Sequence, residues 1–96
     1  MEPTVSDAPD ADRYEIREGD RVVGIAAYHR RSDVLVFTHT EVDPAEGHSG
    51  LGSTLVQGAL DDVRAKGEKV IAQCPFVRGW IERHPDYADL VLHGDG

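Results

Sequence analysis

A single cysteine, Cys74, rules out an intrachain disulfide and leaves too few thiols for a zinc ribbon or finger. Lysine is scarce as well: Lys66 and Lys69 are the only two, and every other basic position is arginine. Lys+Arg totals 10 against 18 for Asp+Glu, a formal net charge of −8, which argues against a basic face that grips a nucleic-acid backbone. A phosphorylated ligand held by backbone amides stays open, because amides need no lysine. No run approaches the ~20 apolar residues of a membrane-spanning helix. Residues 1–12 lack the apolar stretch of a leader. His29, His48 and His93 show no ligand spacing, and no metal is assigned. The expectation is a soluble, reduced, cytoplasmic protein, a monomer or weak dimer, that binds neither nucleic acid nor membrane.

What is present is an ordinary globular share of apolar residues, 40% of 96, enough for one small core. Residues 1–11 read as a flexible acidic tail, and residues 12–93 as one domain. Tyr14–Arg17 alternates like a short edge strand. Arg21–Arg30 is a second strand, in which Gly24 marks a bulge or a close backbone approach. Val34–Val42 is the clearest strand, and the three form an antiparallel meander.

A glycine-containing loop over 45–52 follows. A helix then runs from about Gly50 to Lys66, with Leu51, Leu55, Val56, Ala59, Leu60 and Val63 on one stripe and Gly67 ending it. Asp61, Asp62, Arg64 and Lys66 are expected to face solvent. Lys69–Gln73 is a short strand expected to pair in parallel with the strand ending at Val42. Cys74-Pro75 opens a second helix, with Phe76, Val77, Trp80 and Ile81 as its apolar face and a stop before Pro85. Tyr87–Leu92 reads as a last strand or an extended tail. The fold class is α+β: a mixed, mostly antiparallel sheet with two main helices.

The loop Gly47-His48-Ser49-Gly50-Leu51-Gly52 leads from strand to helix, where free amides and the helix dipole favour an anion. A Walker pattern is met at Gly47, Gly52 and Thr54, but its lysine position holds Ser53. A dinucleotide G-x-G-x-x-G is met at Gly50 and Gly52, but its third position holds Leu55. The plain alternative is a helix N-terminus capped by Ser49 or Ser53. A third pattern, (Q/R)-x-x-G-x-(G/A), is met at Gly50-Leu51-Gly52, with Gly47 in place of the Gln or Arg.

With that third pattern, the chain resembles the small single-domain branch of the GCN5-related N-acetyltransferases. The resemblance is carried by His39-Thr40-Glu41-Val42, Glu46 to Leu55, Cys74-Pro75-Phe76-Val77 and Arg83-His84-Pro85-Asp86-Tyr87-Ala88-Asp89-Leu90. It covers roughly residues 13–92. It implies acetyl-CoA as acetyl donor and an amine acceptor, a small amine or a lysine-bearing peptide. It implies pyrophosphate on the amides of Gly47, His48, Ser49, Gly50, Leu51, Gly52 and Ser53. The pantetheine then enters where the two parallel strands splay, near Val42 and Lys69–Gln73. Larger members carry N-terminal helices on the acceptor side that this chain lacks.

Three residues are candidates for the chemistry. Cys74, at a helix start, is a possible nucleophile, against the common fate of a small buried apolar residue. Tyr87 is a candidate acid for the departing thiolate, against simple packing on the second helix. His39, with Glu41 on the same strand face, is a candidate base, against an ordinary hydrogen bond within the sheet. Arg78 and Arg83 are the nearest cations for a 3′-phosphate, and His84 is placed to fix the turn before Pro85. A non-catalytic acetyl-CoA or CoA binding module and a binder of some other nucleotide remain as alternatives.

Overall fold

The computed structural model describes residues 2–44 and 50–92. Five strands lie in the order β1-β2-β3-β4-β5: β1 (Thr4–Ala8), β2 (Arg13–Glu18), β3 (Arg21–Arg31), β4 (Val34–Val42) and β5 (Lys69–Ala72). The first four pair antiparallel, and β5 pairs parallel with β4, from Val34↔Lys69 to Phe37↔Ala72. Alternation along the meander puts Tyr14, Ile16, Ala26, Tyr28, Leu35 and Phe37 into one buried cluster. Glycine at 24 is dictated by space, as its place in a strand suggests. A Cβ there would stand 3.0 Å from the Glu41 carbonyl oxygen and from Ile16 Cγ2.

Helix α1 (Leu51–Ala65) buries the expected stripe of Leu51, Leu55, Val56, Ala59, Leu60 and Val63. Gly67 closes it at φ 72°, donating its N–H to the Arg64 carbonyl. Helix α2 (Pro75–Arg83) adds Val77, Trp80 and Ile81 to the same cluster, so both helices cover one face of the sheet. The opposite face carries Arg13, Glu15 and Arg17 on β2. Glu15 is buried between the two guanidiniums, at 2.8 Å from each, and their hydrogen bonds hold its carboxyl below the usual range.

Four expectations change. The segment 1–11 is not a flexible tail over its described residues, 2–11. Thr4–Ala8 is a strand paired with β2, and Pro9–Ala11 is a short 3-10 turn. Its one inward apolar residue, Val5, packs on α1 at Gly58, and its Asp7 accepts from Tyr28 (2.6 Å) and Lys66 (3.2 Å). One of the acids that suggested a tail, Asp7, is thus engaged by specific partners. β2 is consequently an internal strand, not an edge. Asp62 does not simply face solvent, since it accepts from Tyr14 (2.6 Å) and pairs with Lys66 (2.8 Å). Residues Pro85–Leu90 form a 3-10 helix, after which Val91 makes a single parallel bridge to Val70. The proline and the run of small and acidic residues favour that turn over a strand.

Candidate functional site

The two parallel strands separate after Phe37 and Ala72. The amides of Gln73 and Cys74 both converge on the Phe37 carbonyl, at 3.0 and 2.9 Å, and the chain then turns into α2. Pro75, which has no N–H to give a ladder, starts the helix there. β4 meanwhile bulges at Thr38, because Ala27 pairs with His39 while Tyr28 pairs with Phe37. Residues 38–42 of β4 then continue with β3 on one side and, among the described residues, no β5 partner on the other. The result is a cleft between the last two strands of the sheet.

The cleft has two chemically different sides. Cys74 is the N-cap of α2, buried at 4% exposure, and its Sγ lies 3.3 Å from Thr40 Oγ1. Thr40 belongs to β4 and faces the helix side. His39 and Glu41, its strand neighbours, face the other side and are exposed. His39 Nε2 lies 2.8 Å from Glu41 Oε2. With Nε2–H donating to Glu41, Nδ1 holds the lone pair and can accept a proton. Val42 is half-buried against the core, and the next amide, Asp43 N–H, donates to the Val23 carbonyl at 2.7 Å.

The N-terminus of α1 forms the adjoining wall. Gly50 caps it in the left-handed region at φ 76° and accepts Thr54 N–H at 3.2 Å. The amides of Leu51, Gly52 and Ser53 therefore have no acceptor within the helix, and among the described residues neither a side-chain cap nor an acidic first-turn residue competes for them. That arrangement fits a phosphate group. Ser53 is not the cap that the sequence suggested. Its Oγ accepts instead from Trp80 Nε1 at 2.8 Å, tying α1 to α2. Gly47, His48 and Ser49 lie outside the described residues.

Tyr87 is not brought to this cleft. It follows the far end of α2, stands edge-on to Trp80 at 5.0 Å, and donates to Asp61 of α1 at 2.7 Å. That hydrogen bond, with some burial, raises its pKa. His84 fixes the turn as expected: Nδ1 donates to the Trp80 carbonyl (2.7 Å) and the ring stacks on the indole at 3.8 Å. Arg78 donates to the Ala72 carbonyl at 3.3 Å, along the edge of β5. Sequence reasoning missed Thr40 and the Trp80–Ser53 bond. Both are contacts between residues more than 25 apart in the chain (34 and 27), and nothing local announces them. Among the described residues no cluster of His, Cys, Asp and Glu could hold a metal ion. No helix there is long and apolar enough to cross a membrane.

Similar architectures are known. A GCN5-like protein from Staphylococcus aureus, solved by NMR, superposes with a TM-score of 0.69 at 21% identity, over 93% of this chain and 87% of its own. The ribosomal-protein-S18-alanine N-acetyltransferase of Escherichia coli gives 0.63 at 16% identity, over 75% of this chain. A GNAT-family protein from Desulfovibrio desulfuricans gives 0.57 at 26% identity, also over 75%. The chain spans about half the length of the latter two, 50% and 52%. No curated protein matches the sequence significantly. The sequence itself matches the GCN5-related N-acetyl-transferase family across residues 13–90, and with the fold and the split sheet this places the chain in that family.

Proposed function

We propose that the protein binds acetyl-CoA in the cleft between β4 and β5 and transfers the acetyl group to an amine. The observation that carries this reading is the cleft itself: residues 38–42 of β4, still paired with β3, run on past the end of β5 beside Cys74, next to an α1 N-terminus whose first amides have no acceptor within the helix. When bound, acetyl-CoA supplies an acetyl group activated as a thioester. The residues of this chain do the rest. The amides of Leu51, Gly52 and Ser53 hold phosphate, with Gly47, His48, Ser49 and Gly50 extending that loop. The strand end at Val42 offers backbone to the acyl end. Cys74 and Thr40 form the inner wall. His39, oriented by Glu41 on the open side, accepts the proton of the attacking amine. Direct attack by the amine is favoured over an acetyl-cysteine, because Cys74 is buried and its sulfur is engaged with Thr40. The net charge of −8 favours a cationic acceptor, a polyamine or a lysine-bearing peptide.

A second reading rests on the side of the sheet that carries His39 and Glu41. Among the described residues no helix covers it, so no acceptor pocket is walled in there. This suits a module that binds acetyl-CoA or CoA without transferring it. Calorimetric titration with acetyl-CoA, CoA and ATP tests both readings. Micromolar binding of the first two without ATP is expected, and no binding of either would overturn both. Release of CoA thiol accelerated by spermidine or a lysine peptide then supports catalysis, and its absence leaves the binding module.

A further inference from the structure

The two large apolar side chains exposed among the described residues are Phe76 and Leu92, at 42% and 40%. Leu92 lies at the outer edge of β5, where its amide reaches the Val70 carbonyl. Phe76 is at the cleft. It sits in the first turn of α2, at the margin of the Val77–Trp80–Ile81 stripe, and, against its expected place on the apolar face, it stays out of the core. Side chains on a helix lean toward its N-terminus, and here that carries the ring to the first turn of α1. A Cβ built on Gly52 would stand 2.8 Å from the tip of the ring, Cζ, and 3.3 Å from Cε2. The space above Gly52 is therefore filled by Phe76. Two residues before Phe76, Cys74 touches Thr40, so the first turn of α2 meets both the start of α1 and the inner wall of the cleft.

We infer that Phe76 is a ligand-contacting residue that packs against the pantetheine arm of the acyl-CoA, and that position 52 is glycine to let the ring lie there. This rests on the acetyl-CoA reading. A half-exposed ring beside the phosphate-binding amides gains burial when an apolar chain covers it. The pantetheine arm is the apolar, flexible part of that ligand, and it must run from the phosphates at α1 to the acyl end at Cys74. Gly52 then serves a side chain of the partner helix as well as the phosphate.

The test uses the full chain, with titrations of acetyl-CoA and of adenosine 3′,5′-bisphosphate, which lacks the pantetheine. Phe76→Ala is expected to weaken acetyl-CoA about tenfold and to leave the bisphosphate unchanged. Phe76→Leu, which keeps apolar bulk, is expected to recover most of the loss. Gly52→Ala displaces the ring, so it should weaken acetyl-CoA in the wild-type background and add little on top of Phe76→Ala. Equal weakening of both ligands by Phe76→Ala, or no effect on either, overturns the inference while the acetyl-CoA reading stands. Failure of the wild type to bind acetyl-CoA overturns that reading and this inference with it.

Discussion

His39 and Thr40 are adjacent in the chain but face opposite sides of the sheet, and this separates two tasks at one place. Thr40 meets the buried thiol of Cys74, while His39 stands exposed with Glu41. A base on the open side can meet an amine arriving from solvent without disturbing the packed side. His39→Ala is therefore expected to lower the acetyl-transfer rate by about 10²–10⁴ and to leave the affinity for acetyl-CoA unchanged. Glu41→Gln should cost less, because it removes only the orienting carboxylate. An unaltered rate in His39→Ala would remove the residue from the mechanism. Tyr87 makes the contrasting case. Its hydroxyl is held by Asp61, beyond the far end of α2 from Cys74. Tyr87→Phe should leave transfer intact and lower stability by at most about 1 kcal/mol, read as a small shift in the denaturant midpoint. A large loss of transfer at unchanged stability would restore Tyr87 as the acid.

At the scale of elements, the N-terminal strand is held by a notch in a helix. A Cβ on Gly58 would lie 2.7 Å from Val5 Cβ and 2.8 Å from its Cγ2. Val5 Cβ is fixed to a paired strand, so the clash cannot be relieved by turning a side chain. Gly58→Ala would gain about 1 kcal/mol of helix propensity against overpacking of about 1–3 kcal/mol. Thermal unfolding is expected to fall by several degrees, and a rise would show that β1 can lift away freely. The same contact explains what was legible in the chain. The apolar stripe of α1, the strand at Val34–Val42 and the parallel placing of Lys69–Ala72 are periodic or bounded by glycine and proline, and each stands where the sequence puts it. β1 was not legible because Val5 is its one inward apolar residue, and the glycine that receives it is 53 positions away. The cleft, by contrast, was expected from the family resemblance and not from periodicity, though its cause is local. A helix start at Pro75 ends β5 while the β-branched run to Val42 keeps β4 going. The lining contacts, Thr40 to Cys74 and Ser53 to Trp80, depend on tertiary packing and leave no local periodicity to read.

Across the whole molecule, each of the three tyrosines donates to an aspartate on another element. Tyr14 reaches Asp62 (2.6 Å), Tyr28 reaches Asp7 (2.6 Å) and Tyr87 reaches Asp61 (2.7 Å). Together these bonds tie β2 and the last 3-10 helix to α1, and β3 to β1. The acidic excess thus serves the fold as well as the charge. Burial, reinforced by the neighbouring carboxylates, pushes Tyr28 up to about 12 and Tyr14 higher, and the bond to Asp61 raises Tyr87. A phenol raised on folding contributes stability in full below its unfolded value, near 10, and loses it as pH rises through the folded value. For Tyr28 the loss therefore falls between about 10 and about 12. The folded protein is accordingly expected to keep Tyr14 and Tyr28 protonated at pH 10 and to show less tyrosinate absorbance there than an unfolded chain, which would have about half its phenols ionised. Tyrosinate should emerge above that pH together with loss of the circular-dichroism signal. Asp7→Asn weakens the grip on Tyr28 and should bring the onset to lower pH. Ionisation of all three tyrosines near pH 10 with the fold intact would mean that the aspartates do not hold them in solution. The ties between the sheet and α1 would then rest on the apolar core alone.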